Sequence, residues 1–167
     1  VDSLWRYFID GGTGNPLLLL PTGAGKSLTQ AAFFEECLKT YPSVRIMCVT
    51  HVGELVGQIG SGLLKHWPEA PVGTYAAGLN KRQVGKAITV GSVQSIYRKA
   101  HIFGHIDVLF VDEAQLISRN AETKYGKLIS ALRETNPALK VIWLTATGYR
   151  MDSGALIGGE DAIFTDI

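Results

Sequence analysis

Short apolar runs alternate with amphipathic stretches along this chain. Leu17–Leu20, Val44–Thr50, Val72–Tyr75, Ala87–Val90, Val108–Asp112 and Val141–Thr145 are nearly continuous apolar runs rather than alternating ones. That is the pattern of strands covered on both faces. Helical patterns lie between them. Residues 26–39 form one. Val52, Leu55, Val56, Ile59 and Leu63 recur at helical offsets, although Gly53, Gly57, Gly60 and Gly62 weaken that helix. Tyr125, Leu128, Ile129 and Leu132 follow the i, i+3, i+4, i+7 rule, and Asn136-Pro137 stops the helix they predict. Val1–Trp5 reads as part of a helix, and Val93–Lys99 as a short one. Strand–helix alternation predicts an α/β domain: a mainly parallel sheet, helices on both faces, right-handed crossovers. Such sheets bind ligands at the carboxyl ends of their strands. No internal repeat or low-complexity segment interrupts the pattern, and the glycine-rich, acidic tail 151–167 reads as a loop.

The densest chemistry follows the first strand. Pro21-Thr22-Gly23-Ala24-Gly25-Lys26-Ser27 joins four leucines to a helix. Strand, glycine-rich turn, Gly-Lys-Ser, helix is the layout of a phosphate-binding P-loop. Glycines let backbone N–H groups turn inward around phosphate oxygens, and the new helix aims its positive end at the same anion. Thr22, Gly23, Ala24, Gly25, Lys26 and Ser27 are the expected nucleotide-binding residues. Lys26 is expected on the β- and γ-phosphates, and the Ser27 hydroxyl on Mg²⁺. One departure stands out: the general pattern has glycine five places before Gly25, where this chain has Leu20.

A second signal closes the strand at 108–112. Four apolar residues lead into Asp112 and Glu113. Downstream of a P-loop, Asp112 is expected to hold Mg²⁺ through water and Glu113 to orient and deprotonate an attacking water.

Composition narrows the rest. With 167 residues the chain is long enough for one domain with a real core, and 46% hydrophobic content makes it globular. A net charge of +1 excludes a global positive field, so any nucleic-acid contact must be local. Cys37 and Cys48 have no metal-ligand spacing and read as buried thiols of a reducing compartment. His66, His101 and His105 likewise lack metal-ligand spacing and read as structural. No apolar run reaches transmembrane length, and no signal peptide opens the chain.

Pro21–Ser27, Val111-Asp112-Glu113-Ala114-Gln115 and Leu144-Thr145-Ala146-Thr147, in that order, resemble motifs I, II and III of superfamily 2 helicases of the DEAD/DEAH-box type. Thr50–Gln58 is similar to motif Ia. Ala77-Gly78-Leu79-Asn80 and Thr89–Ser95 are similar to motifs Ib and Ic. The wording is nearest to the RadD-like helicases of bacteria and phages, and the resemblance runs from about Leu4 to the end of the chain.

The resemblance implies a RecA-like P-loop NTPase domain, the ATP-binding first lobe of a two-lobe motor, spanning 1–167 of a longer protein. It implies ATP and Mg²⁺ as cofactors, single-stranded or duplex DNA as partner with RNA as the alternative, no membrane, and a cytoplasmic setting. A role in DNA repair or replication is what the nearest wording suggests. The adenine-reading segment is expected upstream of Val1, and the second lobe, with its arginine fingers, beyond Ile167. Lys26, Glu113 and Gln115 are the implied catalytic residues. Gln115 replaces the His or Asp usual at its position, and Gly148 replaces a Pro. Thr145 and Thr147 are implied to couple nucleotide state to the strand site.

Thr50, His51, Gly78, Ser92 and Gln94 are the implied contacts to a nucleic-acid backbone. Ser92 is expected as the N-cap of the helix it precedes, and the Lys81, Arg82, Lys86 stretch either contacts backbone or is a solvated face. Two other classes remain open from sequence: another P-loop enzyme such as a kinase, and a non-catalytic nucleotide-binding module. A kinase has no need of Thr-Ala-Thr, and a binding-only module none of Glu113.

Overall fold

The six apolar runs all become strands, four of them buried along their whole length and the first and third in part exposed. The computed structural model describes residues 2–9, 15–20, 25–114, 119–146, 149–150 and 154–155. In chain order these give α1 (Asp2–Ile9), β1 (Leu17–Leu19), α2 (Lys26–Thr40), β2 (Ile46–Thr50), α3 (Gly53–His66) and β3 (Val72–Ala76). There follow β4 (Lys81–Arg82), β5 (Ile88–Ser92), α4 (Val93–Ile96), β6 (Val108–Val111), α5 (Arg119–Thr135) and β7 (Lys140–Thr145). Strands β8 (Tyr149–Arg150) and β9 (Gly154–Ala155) pair antiparallel on their own, so part of the tail read as loop is a short hairpin.

The main sheet has the order β1-β7-β6-β2-β5-β3-β4, parallel throughout except for the antiparallel edge strand β4. Alternate residues of each strand serve opposite cores. Ile46, Cys48, Val108, Phe110, Ile142 and Leu144 face α1, α2 and α3, where they meet Leu4, Phe34, Val56 and Leu63. Met47, Val49, Leu109, Val111, Val141 and Trp143 face α4 and α5, where they meet Ile96, Tyr125, Leu128 and Leu132. Phe34 packs edge-on to Phe110 at 5.3 Å between ring centroids. Burying a side chain of this size contributes roughly 1.5–3 kcal/mol.

The connection from β1 leaves over the α2 face and that from β6 over the α5 face. Opposite departures open a crevice at the carboxyl ends of the strands. The end of α5 is fixed as its sequence predicts: Asn136 donates its side-chain amide to the Ile106 carbonyl at 2.9 Å and accepts from the Ala138 N–H at 3.0 Å.

Two expectations change. The helix expected over Val93–Lys99 is α-helical only to Ile96, and a 3₁₀ turn at Ala100–Phe103 follows. Ser92 sits at the N-cap position, but its hydroxyl makes no cap hydrogen bond. It bonds the Ser95 hydroxyl at 2.9 Å instead, and Ser95 Oγ accepts the Ala77 N–H at 3.0 Å. Together the two serines tie the end of β3 to the start of α4.

Gly91 has a packing reason. A Cβ there would lie 2.5 Å from the Tyr75 carbonyl oxygen and 2.4 Å from Ile96 Cδ1. The backbone of β3 cannot yield without breaking the ladder. Gly91→Ala is therefore expected to destabilise the fold by about 1–3 kcal/mol, measured as a shift of the urea midpoint at constant slope.

Candidate nucleotide site

The site forms where α2 begins and β6 ends. Gly25 adopts φ 80°, a left-handed turn that glycine takes without penalty, and Lys26 opens α2 directly after it. Lys26 Nζ reaches across the crevice. It donates to Glu113 Oε1 and lies 3.8 Å from Asp112 Oδ1. One cation thus faces two adjacent carboxylates at the end of a buried strand.

Asp112 is 6% exposed and Glu113 half-buried. Asp112 Oδ1 accepts the Glu113 N–H at 3.0 Å, and the Asp112 N–H continues the ladder to the Val49 carbonyl at 2.9 Å. Glu113 adopts φ 56°, a left-handed conformation that costs a residue with a Cβ on the order of 1–2 kcal/mol. Strain of this kind persists only where surrounding contacts hold it, and the ion pair to Lys26 is such a contact. Burial raises the Asp112 pKa above the usual carboxylate range. Lys26 opposes that rise, Glu113 adds to it, and the Glu113 N–H and the Gln30 side chain lower it.

Gln30 is the residue that sequence reading overlooked. It lies one turn after Lys26 on α2 and is 2% exposed. The i, i+4 spacing from Lys26 was the available signal, since such residues share a helix face.

Ser27, expected on Mg²⁺, follows Lys26 in the first turn of α2. A Cβ on Gly62 of α3 would meet Ser27 Oγ at 2.9 Å and Ser27 Cβ at 3.0 Å. Ser27 is thus packed against α3, and no hydrogen bond among the described residues joins it to Asp112. Gly62, expected only to weaken its helix, lets α3 approach the start of α2. The set fits Mg²⁺ through Asp112, a buried carboxylate with polar neighbours. Mg²⁺ keeps most of its shell as water and phosphate oxygen and needs only one or two carboxylates. No cluster of three or more His, Cys, Asp or Glu among the described residues offers a full protein cage.

Most of the remaining expected residues lie toward the same strand ends. His51 follows β2 and is half-buried, with Nδ1 enclosed and lacking a hydrogen-bond partner. Burial lowers its pKa, and the Glu113 charge partly offsets this. Thr50 is fully buried, and its hydroxyl accepts weakly from the Val52 N–H at 3.4 Å, so its side chain supports the turn into α3. Ser92 is 5% exposed and engaged with Ser95. Gly78 lies in an exposed 3₁₀ turn after β3. Gln94 is exposed on α4 and accepts from Lys124 of α5, whose ammonium lies 5.9 Å from the Tyr97 ring centroid. Lys81, Arg82 and Lys86 are exposed at the β4 edge, with Arg82 over the Tyr75 ring at 5.7 Å.

Thr145 ends β7, fully buried, and its carbonyl accepts the Leu20 N–H at 2.9 Å, where the chain leaves β1. Thr22, Gly23, Ala24, Gln115 and Thr147 lie outside the described residues. Cys37 and Cys48 are buried free thiols; burial pushes Cys37 up to about 12 and Cys48 well above its usual value. His105 bonds Asp107 at 2.9 Å, a structural role.

Volume alone would point elsewhere. An apolar cavity of about 420 Å³ lies at the amino ends of the strands, lined by Trp5, Phe33, Tyr41 and Val108 among others. The convergent charges are at the opposite end.

Comparison with known proteins agrees with this fold. Residues 5–150 match the family described as type III restriction enzyme, res subunit. No match is found among curated proteins. Three solved structures share the fold. The UvsW helicase from bacteriophage T4 superposes with a TM-score of 0.68 at 21% identity, over 93% of this chain and 54% of that one. The SWI2/SNF2 ATPase core of Sulfolobus solfataricus, in complex with double-stranded DNA, gives 0.61 at 20% identity, over 86% and 30%. A nuclease-deletion mutant of the type ISP restriction-modification enzyme LlaGI, in complex with a DNA substrate mimic, gives 0.58 at 17% identity, over 91% and 18%. This chain therefore spans about half or less of the length of each. The matches establish the helicase-type fold without singling out the RadD-like group.

Because Lys26 opposes the rise that burial imposes on Asp112, Lys26→Met is expected to raise the Asp112 pKa further. The sign is checked by carbon NMR titration of the Asp112 carboxyl, which should titrate at higher pH than in the parent chain.

Proposed function

Because the chain belongs to the type III restriction enzyme res-subunit family, we propose that it is the ATP-hydrolysing first lobe of a DNA helicase or translocase. The fold is that of the first RecA-like lobe of superfamily 2 helicases. The observation that carries the proposal is the reach of Lys26 from the phosphate loop to the two carboxylates ending β6. A cation able to leave Glu113 for phosphate oxygens is what nucleotide hydrolysis requires there.

The proposed roles rest on the sequence motifs and, for Lys26, Asp112 and Glu113, on their placement as well. Thr22–Gly25 supply backbone N–H groups to the phosphates, and Lys26 exchanges Glu113 for the β- and γ-oxygens. Glu113, released, accepts the proton of the attacking water. Asp112 and Ser27 would hold Mg²⁺, which would supply charge neutralisation at the phosphates. Gln115, Thr145 and Thr147 carry nucleotide state toward the strand site and a second lobe.

The proposed nucleic-acid surface is the rim of the same strand ends, with His51, Gly78 and Gln94, extended by Lys81 and Arg82 of β4; Lys86 lies farther back, beside Gly73 near the start of β3. Thr50 and Ser92, being buried, shape that rim from within. DNA is favoured because two proteins of similar fold are in complex with DNA or a DNA mimic. Contacts of this kind address the sugar-phosphate backbone and carry little sequence information. Among the described residues no helix is long and apolar enough to cross a membrane.

Two measurements test the reading. Lys26→Ala is expected to remove most affinity for Mg-ATP by calorimetric titration, since the triphosphate loses its main side-chain partner; unchanged affinity overturns the site. In the full-length protein, single-stranded or duplex DNA should stimulate ATP turnover. Glu113→Gln should abolish that turnover while leaving ATP binding nearly intact. Turnover indifferent to DNA favours a P-loop enzyme of another class.

A further inference from the structure

We infer that Arg98 and Lys124 form a second set of phosphate contacts for the nucleic-acid backbone, beside the strand-end rim, an inference that rests on the nucleic-acid reading proposed above. The distribution of charge along the chain is the first observation. Between Glu69 and Asp107 there is no acidic residue, while Lys81, Arg82, Lys86, Arg98 and Lys99 all fall there. A chain of net charge +1 thus keeps one uncompensated basic segment, folded as β3, β4, β5 and α4. A local positive field of that kind attracts a polyanion even where the whole molecule is near neutral.

Lys124 of α5 brings a further cation to this segment. It donates to Gln94 Oε1 and lies 5.9 Å from the Tyr97 ring centroid, and Arg98 lies 5.2 Å from the same centroid. Two cations thus converge on one half-buried tyrosine, itself packed on the core beneath α4 and α5. Among the described residues neither cation is ion-paired. Like charges drawn together favour an anion between them. A neutral amide oxygen holds an ammonium less strongly than a phosphate oxygen does, so a phosphate would draw Lys124 from Gln94. The ring holds both cations in place beforehand, so less order is lost when the anion arrives. Gln94 makes this pair continuous with the rim, which identifies the anion as the backbone of the same polymer. A ring already engaged by cations serves as their support, and the contact carries no base information.

Salt dependence separates phosphate contact from a structural role. In the full-length protein, affinity for labelled single-stranded DNA, duplex DNA and RNA is measured by fluorescence anisotropy over a series of salt concentrations. Each phosphate contact contributes about 0.7 to the slope of log affinity against log salt on a single strand, and about 0.9 on a duplex. Lys124→Gln, and separately Arg98→Gln, is expected to lower the slope by that amount on at least one polymer, and affinity about tenfold at about 0.05 M salt. Lys124→Arg should keep the parent slope. Lys65→Gln, in the last turn of α3 and away from these strand ends, should change neither quantity. A partly unfolded variant loses competent molecules but keeps its slope, so the slope reads contact alone. Parent slopes in Lys124→Gln and Arg98→Gln overturn the inference and leave the nucleic-acid reading standing. If the parent protein binds none of the three polymers, that reading falls and the inference with it. Vesicles containing phosphatidylserine are the last arm: lost vesicle binding with unchanged DNA and RNA slopes overturns the inference in favour of a lipid surface.

Discussion

One cation shared by two neighbouring carboxylates is the constraint on which the rest of the structure depends. Asp112 and Glu113 end a strand buried on both faces, so their charges stand at the edge of a low-dielectric core. Lys26 is the cation that meets them, and it comes from the other side of the crevice. Exposed ion pairs contribute about 0–1 kcal/mol, and removing one partner of a buried pair costs about 3–5 kcal/mol. The Lys26–Glu113 pair, each side chain about one-fifth exposed (20% and 19%), lies between these limits. It is strong enough to hold the two sides of the crevice together, yet open enough for the proposed triphosphate to compete. The strained backbone of Glu113 fits the same logic, since it is held in place by a contact that nucleotide would withdraw.

The sheet order brings the two partners of that pair together. β1 and β6 must present their ends to one crevice, and β7 between them ties the two. The Leu20 N–H to Thr145 carbonyl bond joins the chain entering the phosphate loop to β7, and β7 pairs with β6 from Val108↔Lys140 to Val111↔Trp143. A displacement of the loop therefore reaches the acidic strand through continuous backbone hydrogen bonds.

Much of this was legible in the sequence, for definite reasons. Strands buried on both faces leave continuous apolar runs, and all six appear within a residue or two of the expected limits. The positions of Lys26, Asp112 and Glu113 followed from chemistry that tolerates few alternatives. What the sequence concealed was side-chain direction. Thr50 and Ser92 were expected at a nucleic-acid surface, yet both hydroxyls turn inward to satisfy the polar groups of a tight turn. A buried polar atom without a partner costs more than an exposed one gains, so local satisfaction prevails. Gln30 was hidden for the related reason that a glutamine within an amphipathic helix reads as surface until burial is known.

The register of β2 against β6 carries the argument from hydrolysis toward motion. Val49 pairs with Val111, which brings the next residues but one, His51 and Glu113, side by side at the strand ends. Adjacent strands lie about 4.8 Å apart. His51 begins the turn into α3, on the rim where a nucleic-acid backbone is proposed to lie, and its enclosed ring feels the Glu113 charge. A strand pressing on that turn would therefore move a group one strand spacing from the water-activating carboxylate. Coupling of this kind needs no long pathway. It needs only that the residue proposed to meet the polymer and the residue proposed to activate water follow neighbouring strands of one sheet, as His51 after β2 and Glu113 after β6 do.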